Sequence, residues 1–324
     1  MTTIEQLDPV DNAQFADFHN SYRAARDDEW DRPYGAGEQR VEFLEAGTYV
    51  DMVGLIARDD SGNSVGVGIA EMPLKYNLKF AFLELRVVPE HRRLGHGAAL
   101  LEALVAVSRE SLRTTVMAEA RWLVGETDSG NTLFAQSQGF HLDLVDAHRV
   151  LDLPATMPAA PVSDGYALRS WRGPCPVEWI DQYAVLLSLI AQDAPGGDLK
   201  LGKEFFDAGR VRFQEDSLAR KGRMMQISVA LAPDGSLAGH TQLVFPEADP
   251  SDVYQWDTLV LSEHRGHGLG LSLKVHAMEA SRDLLAGRSL VHTYNAASNG
   301  PMIAVNKALG FRLASNVGEF IRNI

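Results

Sequence analysis

The alternation of hydrophobic and polar residues predicts two copies of one mixed α/β (α+β) unit. In each copy two alternating runs flank a glycine-containing turn, which is typical of a β-hairpin, and a third strand follows. Hydrophobic residues then recur at helical spacing, most clearly from Leu269 to Leu284, and a helix is also predicted at 177–191. Because hairpins join antiparallel strands, we expect a mostly antiparallel mixed sheet flanked by helices in each copy. The predicted strands are 49–58, 64–71 and 82–88 in the first copy and 225–232, 236–245 and 254–261 in the second.

The second copy follows the first at a shift of 173 positions. A period of this length indicates a duplicated domain rather than a solenoid repeat. Between the copies, three prolines among small residues predict an extended linker. We therefore predict domains at 1–153 and 166–324, joined by a linker at 154–165. The residues that coincide without a gap include Gly62 with Gly235, Gly66 with Gly239, and Glu90-His91-Arg92 with Glu263-His264-Arg265.

Composition and charge narrow the classes of function. The chain has 324 residues and a formal net charge of −13, which disfavours a nucleic-acid binder because phosphates require a basic surface. It contains no run of about 18 apolar residues, so we expect no membrane span. The single cysteine, Cys175, excludes an internal disulfide framework and a cysteine-rich zinc site. Together with an N-terminus that does not read as a signal peptide, it predicts a cytoplasmic protein.

Two glycine-rich loops, each between a predicted strand and a predicted helix, are the candidate chemical sites. Glycine allows a sharp turn and a close approach of the backbone to a ligand, and the first amides of a helix attract an anion. Arginine adds charge-assisted hydrogen bonds to phosphate oxygens, so we expect a pyrophosphate site in each copy. A dinucleotide-binding fingerprint is disfavoured, since leucine stands where its third glycine belongs. The loop residues are Arg92, Arg93, Gly95, His96 and Gly97 in the first copy and Arg265, Gly266, His267, Gly268, Leu269 and Gly270 in the second.

These loops resemble the signature of the GNAT superfamily, the acyl-CoA-dependent N-acetyltransferases. Both Arg92-x-x-Gly95-x-Gly97 and Arg265-x-x-Gly268-x-Gly270 satisfy the family pattern Arg/Gln-x-x-Gly-x-Gly/Ala. A second family element, an asparagine eleven residues before a Gly-Phe pair, is present in the second copy as Asn299 and Gly310-Phe311. The resemblance covers nearly the whole chain as two tandem domains. This layout is similar to that of the mycothiol synthases, in which the C-terminal domain does the chemistry.

The resemblance implies an enzyme that uses acetyl-CoA as cosubstrate, with the loop amides holding the pyrophosphate. It implies that Asn299 and Asn306 contact the cofactor from the next helix. It also implies transfer of the acetyl group to the primary amine of a small, cationic acceptor. No metal is implied, and no zinc-binding pattern of histidine and glutamate at helical spacing occurs. The strand residues that would pair with the pantetheine arm and polarise the thioester are Val87 and Val88 in the first copy and Val260 and Leu261 in the second.

Proton transfer requires further groups. A carboxylate stands eight residues before each motif arginine, as Glu84 and Asp257, and each is a candidate general base. The alternative is a strand carboxylate that faces solvent or pairs with an arginine. The tyrosine that usually protonates the departing thiolate in this family is replaced by Asn306 and, in the first copy, by Ala135. Tyr294, His292 and Tyr254 are the substitute candidates, and the alternative is that the thiolate leaves without a dedicated acid. We expect the second copy to be catalytic and the first to be degenerate.

The sequence leaves the acceptor and the assembly open. Acidic clusters before the hairpins suit a cationic amine, but they also suit a solvated loop of an acidic protein. An acetyltransferase acting on protein N-termini or lysines, and a non-catalytic acyl-CoA sensor, are the alternative functions. The chain is expected to be a monomer or a homodimer. The candidate acceptor residues are Asp27, Asp28, Glu29, Trp30 and Asp31 in the first copy and Asp193, Asp198 and Glu204 in the second.

Overall fold

The structure is a computed structural model that describes residues 2–193 and 201–324. Its contacts divide the described chain into two units. Unit 1 holds residues 2–145, 201–202 and 316–324, and unit 2 holds residues 146–193 and 203–315. The C-terminal residues 316–324 thus group with the N-terminal half, which the sequence-based division at 153 and 166 does not anticipate. That division stays a prediction about domains.

Unit 1 is a mixed sheet flanked by helices. Its strands follow the order β1-β2-β3-β4-β5, and the unit 1 parts of β12 and β6 complete the sheet. The first three pairs are antiparallel and β4–β5 is parallel. Leucines of α3 pack on the inner strands and form the main core. The elements are β1 Thr3–Gln6, α1 Asn12–Ala24, α2 Ala36–Leu44, β2 Val50–Arg58, β3 Ser64–Pro73, β4 Phe80–Val87, α3 His96–Glu110, β5 Thr115–Leu123, α4 Gly130–Ser137 and β6 His141–Asp152.

Unit 2 repeats this plan with the same element order, except that the short helix α8 is added after α7. From the unit 2 part of β6, the strand order is β6-β11-β10-β9-β8-β7, and only the β10–β11 pair is parallel. Helices α5 and α6 cover one face of the sheet and α7 covers the other. The elements are β7 Ala167–Arg172, α5 Ile180–Asp193, α6 Ala208–Arg220, β8 Arg223–Leu231, β9 Leu237–Pro246, β10 Asp252–Val260, α7 Leu269–Ala280, α8 Arg282–Leu285, β11 Leu290–Ala296, α9 Gly300–Ala308 and β12 Arg312–Asn323.

The predicted fold class is confirmed, and the differences are local. The helix predicted to run to Leu284 ends at Ala280, and Leu284 lies on the short α8. The predicted linker is not a bare spacer, because Ala155, Met157 and Ala160 pack against the core of unit 2. Among the described helices, none is both long and apolar enough to cross a membrane.

The repeated glycines of β3 and β9 meet one steric requirement. Gly66 pairs with Val87, and Gly239 pairs with Val260, so the 173-residue shift holds in the strand register as well. A Cβ at Gly66 would lie 2.7 Å from the Arg86 carbonyl oxygen, and one at Gly239 would lie 2.5 Å from that of Leu259. The neighbouring strand therefore approaches too closely for any other residue.

The two units differ at one point of this register. In unit 1 the β3–β4 pairing keeps one register from Gly66↔Val87 to Glu71↔Phe82. In unit 2 the β9–β10 register shifts between Gln255 and Thr258, which inserts a β-bulge at Trp256 and Asp257. A bulge re-aims side chains locally and is common beside active sites.

We expect Gly239→Ala to lower the free energy of unfolding by about 1–3 kcal/mol, because overpacking against a backbone carbonyl cannot relax easily. Gly300→Ala is the matched control, since a Cβ at Gly300 has no neighbour within 4 Å. Chemical denaturation of both variants measures the difference. Equal stability of Gly239→Ala and Gly300→Ala would contradict the steric reading of the repeated glycine.

Candidate active site

Each glycine loop ends on a helix whose first turn lacks a side-chain cap. Gly95 precedes α3 with φ of 92° and Gly268 precedes α7 with φ of 69°, a left-handed conformation that favours glycine. Neither helix has a side-chain cap hydrogen bond, whereas Asp11 caps α1 and Asp207 caps α6. The first amides of α3 and α7 therefore point out of the helix with the positive end of its dipole, an arrangement that binds anions.

The motif arginines shape the loop as well as carry charge. Arg92 Nε donates to the Val87 carbonyl at 3.0 Å, and Arg265 Nε donates to the Val260 carbonyl at 3.2 Å. Each arginine thus ties the loop back to the end of the preceding strand. Arg92 is engaged further, since its guanidinium also pairs with Asp27 at 2.8 Å.

The other loop residues are fixed by left-handed backbone angles and by contacts with residues outside the loop. Arg93 adopts a left-handed φ of 65°, and the left-handed Gly266 (φ 83°) shapes the second loop. In unit 1 the buried His96 ring contacts the Thr2 hydroxyl at 2.9 Å. In unit 2 the Ser163 hydroxyl donates to the His267 carbonyl at 2.7 Å. The exposed glycines of the loops are Gly95 in unit 1 and Gly266 and Gly268 in unit 2. Gly97 and Gly270 follow as partly exposed residues in the first turns of α3 and α7, whereas the Leu269 side chain is buried.

The strand before each loop presents an edge without a strand partner. Within the described residues, β4 pairs with β5 only as far as Leu83↔Ala118, and β10 pairs with β11 only as far as Tyr254↔His292. Beyond these pairs the strands continue for several residues. Ligand atoms can therefore pair with the backbone on that side, as they do in β-strand addition.

Backbone alternation decides which predicted strand residues face that edge. The Val88 amide donates to Val65 and the Leu261 amide donates to Ala238, so both point into the sheet, away from the open side. Since successive residues of a strand point their amides to opposite edges, Val87 and Val260 face the open edge. Pairing with a pantetheine arm stays a prediction, and it rests on Val87 and Val260 alone.

The two candidate bases occupy different surroundings. Glu84 accepts a hydrogen bond from Arg86 Nε at 2.6 Å, and Arg86 also pairs with Asp31 at 2.6 Å. Asp257 lies in the β-bulge, partly buried, with no hydrogen-bond or ion-pair partner among the described residues. Burial raises the Asp257 pKa to about 6. A carboxylate tuned toward neutral pH and left unpaired suits proton abstraction, whereas the carboxylate of Glu84 belongs to an ion-pair network.

The aspartates of the acidic cluster of unit 1 form ion pairs with arginines. Asp27 pairs with Arg92, Asp31 pairs with Arg86, and Asp28 lies 3.7 Å from Arg121. This arrangement favours a structural role over recognition of a cationic acceptor. In unit 2, Glu204 pairs with Arg210 at 2.5 Å, Asp193 ends α5, and Asp198 lies outside the described residues.

Unit 2 carries polar groups where unit 1 carries apolar ones. His240 and Gln242 on β9 are buried and correspond, at the same shift, to Val67 and Ile69. Gln242 donates to the Tyr183 hydroxyl at 2.7 Å, while both His240 ring nitrogens lack a hydrogen-bond partner among the described residues. Burial lowers the His240 pKa to about 3, so the ring stays neutral. Sequence reasoning missed these residues, although a position-by-position comparison of the two copies would have revealed them.

These polar groups lie on the same side of the sheet as Asp257. Asp257 lies in the bulge opposite Gln242, whose side chain donates to the Tyr183 hydroxyl. Burial raises the pKa of Tyr183, and the Asp257 charge adds to this shift. In unit 2 the core between α5 and the sheet therefore contains the polar side chains of His240 and Gln242 among apolar residues such as Leu259. In unit 1 the corresponding β3 positions, Val67 and Ile69, pack with Phe18 in an apolar cluster.

The asparagines and the substitute tyrosine have defined places. The Asn299 side chain caps α9 by accepting from the Met302 amide at 3.2 Å. Asn306 is fully buried and hydrogen-bonds to Lys274 and Asn295. Tyr294 is 39% exposed and stacks on His148 with ring centroids 4.5 Å apart. The Asn299 and Asn306 side chains thus make hydrogen bonds within the protein, and their contacts with a cofactor stay predictions.

A metal site is not formed by the described residues, in which no group of three or more histidine, cysteine, aspartate or glutamate side chains could hold an ion.

Comparison with known proteins identifies the fold. No protein-family model and no curated protein matches the sequence. Among solved structures, the whole chain is similar to a tandem GNAT protein from the clavulanic acid biosynthesis pathway, with 26% identity, a TM-score of 0.85 and 98% of that chain covered. The chain has the tandem GNAT fold. The resemblance to the GNAT superfamily is thereby confirmed at the level of the fold.

Two further neighbours share the fold alone. A GCN5-related N-acetyltransferase from Sphaerobacter thermophilus matches 99% of this chain and 95% of its own, at 14% identity and a TM-score of 0.67. The N-myristoyltransferase of Saccharomyces cerevisiae with bound myristoyl-CoA matches 99% of this chain and 79% of its own, at 11% identity and a TM-score of 0.61. This GNAT fold supports acyl-CoA-dependent N-acyltransferase activity.

We expect Asp257→Asn to stabilise the protein above pH 6 by about 1–3 kcal/mol. The folded-state pKa of about 6 lies above the ordinary value of 3.8, so the wild type loses stability as the pH rises through this interval. Glu84→Gln is the comparison, and it should destabilise by up to about 1 kcal/mol because it breaks the ion pair with Arg86. Thermal denaturation at pH 5 and pH 8 measures both. A destabilised Asp257→Asn at pH 8 would contradict the view that the ionised Asp257 is buried without a partner.

Proposed function

We propose that the protein is an N-acetyltransferase that moves an acetyl group from acetyl-CoA to the primary amine of a small acceptor, and that unit 2 performs the chemistry. The observation that carries this proposal is the unpaired Asp257 carboxylate in the β-bulge of β10. It stands three residues before the open-edge residue Val260, and the uncapped α7 follows. Base, strand edge and anion site thus occur consecutively along one stretch of chain.

The residues of unit 2 fit the proposed cosubstrate. Two left-handed glycines, Gly266 and Gly268, give the loop a backbone surface without side chains, and the first amides of α7 have no capping side chain. These amides, with Arg265 nearby, would hold the pyrophosphate. The Val260 amide would hold the pantetheine arm at the open edge. Bound acetyl-CoA supplies an acetyl group activated as a thioester.

In the proposed reaction the residues of the chain accept a proton and orient the acceptor. An amine attacks only when neutral, and Asp257 would accept the proton that the amine loses. A base with a pKa near 6 is ionised at neutral pH and still basic enough to assist. In unit 1 the equivalent carboxylate, Glu84, is held in an ion pair with Arg86, which supports the assignment of unit 1 as the degenerate copy.

Acetyl-CoA binding tests the anion site. We expect Gly270→Glu, which places a carboxylate in the first turn of α7, to weaken binding to unit 2 by about 10–100-fold. Gly209→Glu is the matched control, because Gly209 is likewise the second residue of a helix, but of the capped α6. Calorimetric titration gives the affinity and the number of sites. Absence of saturable binding to the wild type would overturn the proposed function.

Turnover tests the base. With a panel of small amines and detection of released CoA, Asp257→Asn should lower kcat by about 10²–10⁴-fold. For the wild type, kcat/KM should rise as the pH increases through about 6, where Asp257 loses its proton, after correction for ionisation of the acceptor. Asp181→Asn, an exposed carboxylate on α5, is the control and should behave as wild type. Lost turnover in Glu84→Gln with full activity in Asp257→Asn would transfer the chemistry to unit 1. CoA binding without turnover of any amine would instead favour the sensor function.

A further inference from the structure

Unit 2 contains a buried lysine without a counter-ion. Lys274 on α7 is 1% exposed, and no carboxylate pairs with it among the described residues. Its ammonium donates to Asn306 Oδ1 at 2.8 Å and lies 5.9 Å from the centre of the Phe311 ring. Burial lowers the Lys274 pKa to about 7. An unpaired buried cation costs folding free energy, so its presence calls for a compensating role.

The lysine begins a directed chain of hydrogen bonds. Asn306 accepts from Lys274 with its oxygen and donates with Nδ2 to Asn295 Oδ1 at 2.6 Å. Asn306 is fully buried, whereas Asn295 is partly exposed, and its own Nδ2 has no partner among the described residues. Each link polarises the next, so the positive charge inside the protein strengthens the outward N–H of Asn295 as a donor.

The exposed end of this chain lies beside the open strand edge. Asn295 stands on β11 three residues beyond its last pair with β10, Tyr254↔His292. It faces α9, as does the first turn of α7, since a Cβ at Gly270 would lie 3.9 Å from Val305. The strengthened amide donor is thus located where β10, β11 and the phosphate-binding helix meet.

The fold does not require this chain. At the 173-residue shift Lys274 corresponds to Leu101, and at the 171-residue shift Asn306 corresponds to Ala135. Leu101 is buried in the apolar core of unit 1, and Ala135 packs against it. The same backbone therefore accepts an apolar pair at these positions. Unit 2 retains the polar residues in spite of their cost.

We propose that Lys274, through Asn306, polarises the Asn295 amide so that Asn295 stabilises the thiolate that leaves during acetyl transfer. The inference rests on the proposed function and explains how unit 2 works without a tyrosine at position 306. As the amine nitrogen bonds to the acyl carbon, the carbon–sulfur bond breaks and its electron pair passes to sulfur. The amine proton goes to Asp257, and the Asn295 N–H hydrogen-bonds to the sulfur anion without transferring its proton. Lys274 and Asn306 are positioning residues, and Asn295 is the group that contacts the sulfur.

The pKa of the thiol of bound CoA tests this stabilisation without an acceptor. The double variant Lys274→Leu, Asn306→Ala installs the side chains of unit 1, and it should raise this thiol pKa by about one to two units relative to the wild-type complex. Asn295→Asp, at a partly exposed position, should raise the thiol pKa as well, because it replaces the donor by a negative charge. Lys307→Leu removes a lysine charge from the exposed side of α9 and is the matched control, with no shift expected.

Ultraviolet titration of thiolate absorbance in the CoA-saturated protein gives this pKa. The protein's own thiol contributes little, since burial raises the pKa of Cys175 to about 12. Equal thiol pKa values in the wild type, the double variant and Asn295→Asp would overturn the inference and leave the proposed function intact. Failure of the wild type to bind CoA would overturn both. If Lys307→Leu shifted the thiol pKa as much as the double variant does, the shift would reflect the net charge of the protein rather than the hydrogen-bond chain. That result would also overturn the inference.

Discussion

The site of unit 2 depends on the point at which β10 and β11 stop pairing. Parallel strands held together to their ends would leave no backbone donor for a ligand and no gap for an acyl chain. Pairing that ends at Tyr254↔His292 frees the last residues of β10 on one side and exposes Asn295 on the other. Because β10 continues to the loop before α7, the same interruption aligns a strand edge with a helix N-terminus. The bulge at Asp257 lies within this freed stretch, where a distortion disrupts no pairing with β11.

Duplication preserved the backbone and changed the chemistry. Three backbone features recur in both units: the glycine at the close strand approach, the left-handed glycine before the helix, and the arginine that hydrogen-bonds to the end of the preceding strand. Their recurrence identifies them as requirements of the loop. Ionisable and polar groups diverge instead. Unit 1 pairs its strand acid with Arg86 and fills the equivalent faces with Val67 and Leu101. Unit 2 bears an unpaired carboxylate and an unpaired ammonium, each at an energetic cost that unit 1 avoids.

The fold could be predicted from the sequence because glycine positions and hydrophobic periodicity are local signals. The difference between the candidate bases could not be predicted, since Glu84 and Asp257 stand at equivalent places in their motifs. Glu84 differs from Asp257 because it forms an ion pair with Arg86 on the same strand. Asp257 differs because it lies at a register shift, which depends on how two strands pair and is not visible in the sequence of either strand alone. The burial of Asn306 could not be predicted either, because the helix motif gives its position and not its partners. The unusual place of Lys274 could have been predicted, since a charged residue stands where the other copy has a core leucine.

The sheet itself keeps the two uncompensated groups of unit 2 apart. Asp257 lies near Tyr183 of α5, and Lys274 belongs to α7 on the other face, as neighbouring strand residues such as Leu237 and Ala238 pack in opposite directions. On one face they would form an ion pair, and each would return toward its ordinary pKa. In unit 1 the corresponding acid, Glu84, forms such an ion pair with Arg86. In the proposed reaction, this separation lets the carboxylate receive a proton on the acceptor side while the cation acts, through two asparagines, on the side of the departing sulfur. Under that proposal the two groups can act separately because a layer of backbone divides them.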